Sequence, residues 1–147
     1  MQKVLLDTNI LIALIRDRTL KEKFKQVYTD QDNLFAISVV VQGELESLAL
    51  QWNWGERKKQ ELNRVLGTLI IIPIKVKSII NTYAKIDAYS QGKLADVPYP
   101  SHFSSKNMGK NDLWIAATAY ATGSKLLTLD HDFDHLQPGY LVIENPF

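Results

Sequence analysis

The sequence contains no cysteine. That excludes a disulfide framework and a thiolate metal site, and it makes a reducing compartment such as the cytoplasm the expected home. A long apolar run is also missing. Val4-Leu5-Leu6 is cut short by Asp7 and Asn9, so it reads as neither a signal peptide nor a membrane span, and no membrane association is expected. Charge of one sign is not in excess: the net charge is +1, so the overall field selects neither nucleic acid nor a membrane surface as partner. The glycine-rich loops of dinucleotide-binding and P-loop folds are absent as well. With no internal repeat, low-complexity stretch or composition break, residues 1–147 read as one domain. What remains is an ordinary globular composition, 46% hydrophobic and 22% charged, sufficient for one core.

Periodicity supplies the elements. A short buried strand ends at Asp7, and Thr8 and Asn9 can cap a helix over 10–16. Leu20, Phe24, Val27 and Tyr28 recur at helical spacing, followed by a polar break at 30–33. A strand is expected at 34–38, a helix at 39–52, and a further helix after Gly55 with Leu62, Val65, Leu66 and Leu69 as its stripe. The strongest strand signal lies at 69–73. Val76, Ile79, Ile80, Tyr83 and Ala84 mark a helix ending near Gly92. From 92 to 110 no period holds, and a break of that length inside a compact domain points to function. An almost wholly apolar helix at 111–122 stops at Gly123, and strands follow at 125–129 and 140–143. Strands alternating with helices predict a three-layer α/β/α sandwich around a mainly parallel sheet of about five strands.

In such sheets ligands bind beyond the carboxyl ends of the strands. Asp7 and Asp130 both stand at expected strand ends. Glu44 shares a helix face with Val40 and Leu48, where it is either a boundary glutamate reaching solvent or part of a site. Asp112 opens a helix, a position that the macrodipole alone would favour, yet it lies in line with Ile115, Ala116 and Ala119. Like charges gathered at one edge are unfavourable unless a cation neutralises them. Oxygen ligands without thiolates suit Mg²⁺ or Mn²⁺, one ion or two.

Leu5-Leu6-Asp7-Thr8-Asn9, Val41-Gln42-Gly43-Glu44-Leu45, the run from Asn111 and Asp112 to Ala117, and Leu127-Thr128-Leu129-Asp130 with Phe133 together resemble the PIN domain. More narrowly, they resemble the VapC-type toxins of toxin–antitoxin pairs. The resemblance spans essentially the whole chain. It implies a Mg²⁺- or Mn²⁺-dependent endoribonuclease acting on RNA, often a homodimer, held inactive by a cognate antitoxin. It also implies that Asp7, Glu44, Asp112 and Asp130 are the catalytic, metal-binding acids, with Thr8 and Thr128 supporting them. Two features depart from the pattern. The 92–110 segment is longer than the usual linker, and Asp130, Asp132 and Asp134 offer three aspartates where one is wanted. Asp130 is favoured because Thr128 precedes it and Phe133 follows at the family's spacing.

Other features admit plainer readings. Most lysines and arginines are solvated helix faces, although Arg16, Lys106 and Lys110 lie beside site motifs and are candidate phosphate contacts. His131 and His135 could share a metal only if their segment were helical, and its composition is that of a turn. His102, near Tyr99 and Phe103, is either a base-stacking group or an exposed loop residue. Trp52, Trp54 and Trp114 read as core or interface. Two other functions stay open: a non-catalytic module binding nucleic acid or protein, and an aspartyl-phosphate phosphatase. The second would usually carry an acid where Asn9 stands.

Overall fold

A strand as apolar as Val4-Leu5-Leu6 belongs at the centre of a sheet, where both faces are covered. The computed structural model describes residues 1–29 and 32–147, and in it β1 (Gln2–Leu6) takes that place, with Val4 and Leu5 wholly buried. It lies between β2 (Asn33–Ser38) and β4 (Lys125–Leu127). β3 (Ile70–Ile72) and β5 (Ile143–Glu144) close the two edges. The order is β3-β2-β1-β4-β5 and every pairing is parallel. All five strands therefore end on one side of the sheet.

Helices cover it: α1 (Thr8–Arg16), α2 (Arg18–Tyr28), α3 (Val39–Gln51), α4 (Glu56–Gly67), α5 (Lys77–Ser90) and α6 (Lys110–Thr122), with a 3₁₀ helix at His131–Leu136. The α/β/α sandwich with a parallel sheet expected from the sequence is the fold observed. Leu5, Ile37, Leu126 and Leu127 of the sheet meet Ile10, Leu45, Ile86 and Ile115 of the helices in one continuous core. Gly123 ends α6 in the left-handed region, at φ 65°, where a residue without Cβ is unstrained. Among the described residues no helix is long and apolar enough to cross a membrane.

Several expectations are corrected. The cap of α1 is Asp7 itself, whose side chain accepts from Thr8 N, rather than Thr8 or Asn9. The strand expected at 125–129 stops at Leu127, because Leu129 N donates to Asn9 Oδ1 instead of continuing the ladder. The last strand starts at Ile143, not at residue 140, since Tyr140 N and Leu141 N both turn back to Leu136 O. The strong apolar signal at 69–73 yields a three-residue edge strand whose Ile70 and Ile71 stay exposed. Of the polar break at 30–33, Asp30 and Gln31 lie outside the described residues.

Gly43 stands inside α3, and a Cβ built there would meet nothing within 4 Å. Mid-helix glycine is destabilising by roughly 0.5–1 kcal/mol relative to alanine. Gly43→Ala is therefore expected to raise stability by about that amount, read as a higher denaturant midpoint at unchanged slope. A lower midpoint would mean that the helix needs the glycine for a reason its surroundings do not reveal.

Candidate functional site

The parallel order brings the ends of β1, β2 and β4 side by side, and the helices that follow β1 and β2 begin there. Asp7 leaves β1 as the N-cap of α1 and is 5% exposed. Its Oδ1 accepts from Thr8 N at 2.7 Å, and its Oδ2 accepts from Thr128 Oγ1 at 2.7 Å. The same Thr128 hydroxyl accepts from Asp130 N at 3.0 Å. An ionised carboxylate can only accept, so the hydroxyl directs its proton at Asp7 while one lone pair takes the Asp130 N–H. Thr128 thus ties the end of β4 to the end of β1.

Asp130 in turn caps the 3₁₀ helix, its Oδ1 accepting from Asp132 N at 2.9 Å. This tight turn places Asp132 beside Asp130, and both meet Asp112 from the first turn of α6. One carboxylate oxygen from each of Asp112, Asp130 and Asp132 lies within 4.8 Å of the others. Asp134 points elsewhere, toward His131 Nδ1 at 3.0 Å. Glu44 arrives from α3, whose start is capped by Ser38 Oγ accepting from Val40 N.

The electrostatics record how close these groups are. Burial pushes Asp7 above the usual carboxylate range and the charge on Asp130 adds to it, against the bonds from Thr128 and Thr8. Burial also raises Glu44, followed by the charge on Asp7, while the Thr8 hydroxyl favours its ionised form. Even so, neither Thr8 Oγ1 nor Glu44 Oε1, both buried, has a partner in good hydrogen-bonding geometry. Asp112 is pushed up to about 7, first by burial and then by Asp7, Asp130, Glu44 and Asp132. Five acids repel one another here, and no lysine or arginine contributes to any of these shifts.

Orphaned buried oxygens within a set of mutually repelling carboxylates are what a hard divalent cation would satisfy. The residues present therefore fit Mg²⁺ or Mn²⁺. Asp7, Glu44, Asp112 and Asp130 are all brought to this edge, with Thr8 and Thr128 among them. Two neighbours go beyond the sequence reading. Asp130 is favoured there over Asp132 and Asp134, and the structure brings Asp132 to the acids as well, the i, i+2 spacing around a capping aspartate being the signal for both. Asn9 is a cap candidate by type, but its Oδ1 accepts from Leu129 N at 3.2 Å. That role fixes the site's frame and differs from the second acid of a phosphatase.

The basic candidates separate. Lys106 Nζ donates to Asp132 O at 3.4 Å, which sets it at the rim of the acids. Lys110 is the exposed first residue of α6, two positions from Asp112. Arg16 is not brought to the acids. It ends α1, roughly 12 Å along the axis from Thr8, and its guanidinium lies 5.0 Å from the centre of the Trp52 ring. The two histidines of the 3₁₀ helix do not form a pair either. His131 is exposed, whereas His135 is buried with Nε2 2.7 Å from Ser90 Oγ, and burial followed by Lys106 lowers it to about 4. Trp54 is buried, Trp52 is partly exposed, and Trp114 packs on Tyr83 at 4.2 Å.

The PIN domain pattern matches residues 4–137. No curated protein matches the chain significantly. Solved structures do. A toxin–antitoxin complex from Klebsiella pneumoniae is 25% identical, with TM-score 0.67 and 98% of each chain covered. VapBC2 from Rickettsia felis, bound to a DNA fragment from the promoter, is 24% identical, with TM-score 0.68 and 98% of each chain covered. VapBC-1 from nontypeable Haemophilus influenzae is 20% identical, with TM-score 0.69, covering 99% of this chain and 98% of its own.

Proposed function

The chain belongs to the PIN domain family, and from that premise we propose that it is a Mg²⁺- or Mn²⁺-dependent endoribonuclease. We further infer that it is a single-domain cytoplasmic toxin of a toxin–antitoxin pair. The observation that carries the nuclease reading is the gathering of Asp7, Glu44, Asp112, Asp130 and Asp132 at one sheet edge, with Glu44 Oε1 and Thr8 Oγ1 buried and lacking a well-formed hydrogen bond. Without a cation such a set relieves its repulsion only by holding protons, as the raised carboxyl of Asp112 does.

Asp7, Glu44, Asp112 and Asp130 are assigned as the groups that hold the cation, with Asp132 beside them. When bound, the cation lowers the pKa of a water and stabilises charge on a phosphoryl oxygen. Thr128 fixes the direction of Asp7 and the backbone of Asp130, so two acids from different strands keep one separation. A carboxylate left free of the cation accepts the proton of the attacking water. Lys106 and Lys110, at the rim, are assigned to neighbouring phosphates. The likeness to toxin–antitoxin complexes supports a protein antitoxin as partner, and a homodimer is what the family resemblance implies.

The test is cleavage of single-stranded and structured RNA by purified protein. We expect cutting with Mn²⁺ or Mg²⁺, none in EDTA, and recovery when the metal is returned. RNA cut equally well in EDTA overturns the metal. RNA bound but left intact with every divalent ion marks a binding module instead.

A further inference from the structure

Beside the acids lies a groove of about 430 Å³ to which the reading above gives no role, a volume within the roughly 300–1,000 Å³ of small-ligand clefts. His102 and Phe103, in ring contact, make up one wall, and Leu129, Asp130, Gln137 and Asn145 are also among its lining residues. Asp130 belongs to both groove and acid cluster, so the groove begins where the bond to be cut is placed.

Its wall is built rather than incidental. The turn carrying the two rings is held by Phe103 N donating to Pro100 O and by Tyr99 OH donating to Ser104 O. The Phe103 ring lies edge-on to His135 at 6.4 Å, and that histidine is anchored on Ser90. The His102 ring meets Phe103 tilted by 44°, with centroids 4.4 Å apart. Leu129 leaves 37% of its surface exposed here, although its backbone is pinned by Asn9. Aromatic and aliphatic surfaces therefore flank one opening that a flat ring could fill.

The polar groups are set for an edge. Asn145 Oδ1 is taken by Phe147 N, which leaves its NH₂ group to donate. Gln137 Nε2 is taken by Ile143 O, which leaves its carbonyl oxygen to accept. No lysine or arginine lines the groove, so it offers little to a phosphate and much to a base. We propose that this groove binds the unpaired nucleobase adjoining the cleaved bond, stacked against Phe103 and His102 and read by Asn145 and Gln137. The proposal rests on the ribonuclease reading for the bond cut, but the binding itself can be measured separately.

Two measurements test it. In the first, wild-type, Phe103→Ala, Phe103→Tyr and Asn145→Ala proteins cut a random-sequence single-stranded RNA with Mn²⁺, and the ends are sequenced. Base stacking on an aromatic ring is expected to make Phe103→Ala raise KM roughly tenfold or more, with kcat changed less and Phe103→Tyr restoring it. Asn145→Ala is expected to alter which base adjoins the cut. In the second, the dinucleotides ApA, CpC, GpG and UpU are titrated into Asp7→Asn protein while the ring protons of His102 and His131 are followed by NMR. Saturable shifts lost in Asp7→Asn/Phe103→Ala are expected. An unchanged KM and base preference in both groove variants overturn the proposal, as does the absence of any dinucleotide shift. Shifts without RNA cutting by the wild type would instead remove the nuclease reading and leave the base site standing.

Discussion

Asp7→Asn is expected to lower metal-dependent RNA cleavage on the order of 10²–10⁴-fold or more while making the metal-free protein more stable. The two effects have one cause. Asp7 is 5% exposed and its carboxyl is raised by burial and by Asp130, so its negative charge is a burden on the folded state when no cation is present. Asparagine keeps the oxygen that accepts from Thr8 N and so keeps the cap of α1. It removes the charge, and it replaces the oxygen bonded to Thr128 with an NH₂ group that Thr128 can accept from by turning its own proton away. The expected gain is a few degrees in unfolding temperature, about 1 kcal/mol corresponding to roughly 2–4 °C for a domain of this size.

The pairing of the effects is the discriminating part. If Asp7 were only a helix cap, asparagine would leave both activity and stability nearly unchanged. If it were only a structural acid, replacing its charge-assisted bond to Thr128 with a neutral one would lower stability. Calorimetry in EDTA beside a cleavage assay in Mn²⁺ separates these cases. Cleavage retained by clean Asp7→Asn protein would remove Asp7 from the chemistry.

The sheet and the edge at which the acids gather were legible because they depend on patterns that repeat: apolar strands, intervening helices and carboxylates at strand ends. Asp7 after Leu6 is such a case, since a parallel strand between two others can end only at the shared edge. What escaped the sequence depends on single hydrogen bonds. Nothing in Leu127-Thr128-Leu129 says that the strand stops after Leu127, because the competing acceptor for Leu129 N is Asn9, 120 residues away. Asp130 and Asp132 could not be separated by composition. One carboxylate capping the other's backbone brings both in, a matter of geometry rather than of preference. Arg16 follows the Asp7 motif in sequence, but a nine-residue helix carries it to Trp52, away from the acids. Ile70 and Ile71 look like core by type, but their exposure follows from β3 being an edge.

Asp112 carries the strongest pH signature. Its carboxyl is moved from 3.8 to about 7 by burial and then by Asp7, Asp130, Glu44 and Asp132. Between those values the folded protein holds a proton that the unfolded chain has released. Unfolding then loses a proton, so stability falls as pH rises from about 4 and levels off above about 7. Because His135, lowered to about 4, acts in the opposite sense over much of that window, the expected result is that the metal-free unfolding temperature declines by several degrees relative to that of Asp112→Asn. Asp112→Asn should flatten the decline, because the neutral side chain has no proton to lose. A cation competes with the same proton. Mn²⁺ should therefore raise the unfolding temperature more at pH 8 than at pH 5, growing with the logarithm of its concentration over its dissociation constant, and at limiting Mn²⁺ cleavage should climb through pH 7. Raising the Mn²⁺ concentration should move that midpoint to lower pH, since more metal displaces the proton sooner. A midpoint that stays fixed at every metal concentration would mean that the titrating group lies outside the cation site, and a metal-free pH dependence from 4 to 7 that is the same in wild type and Asp112→Asn would contradict the placement of Asp112 among the other acids.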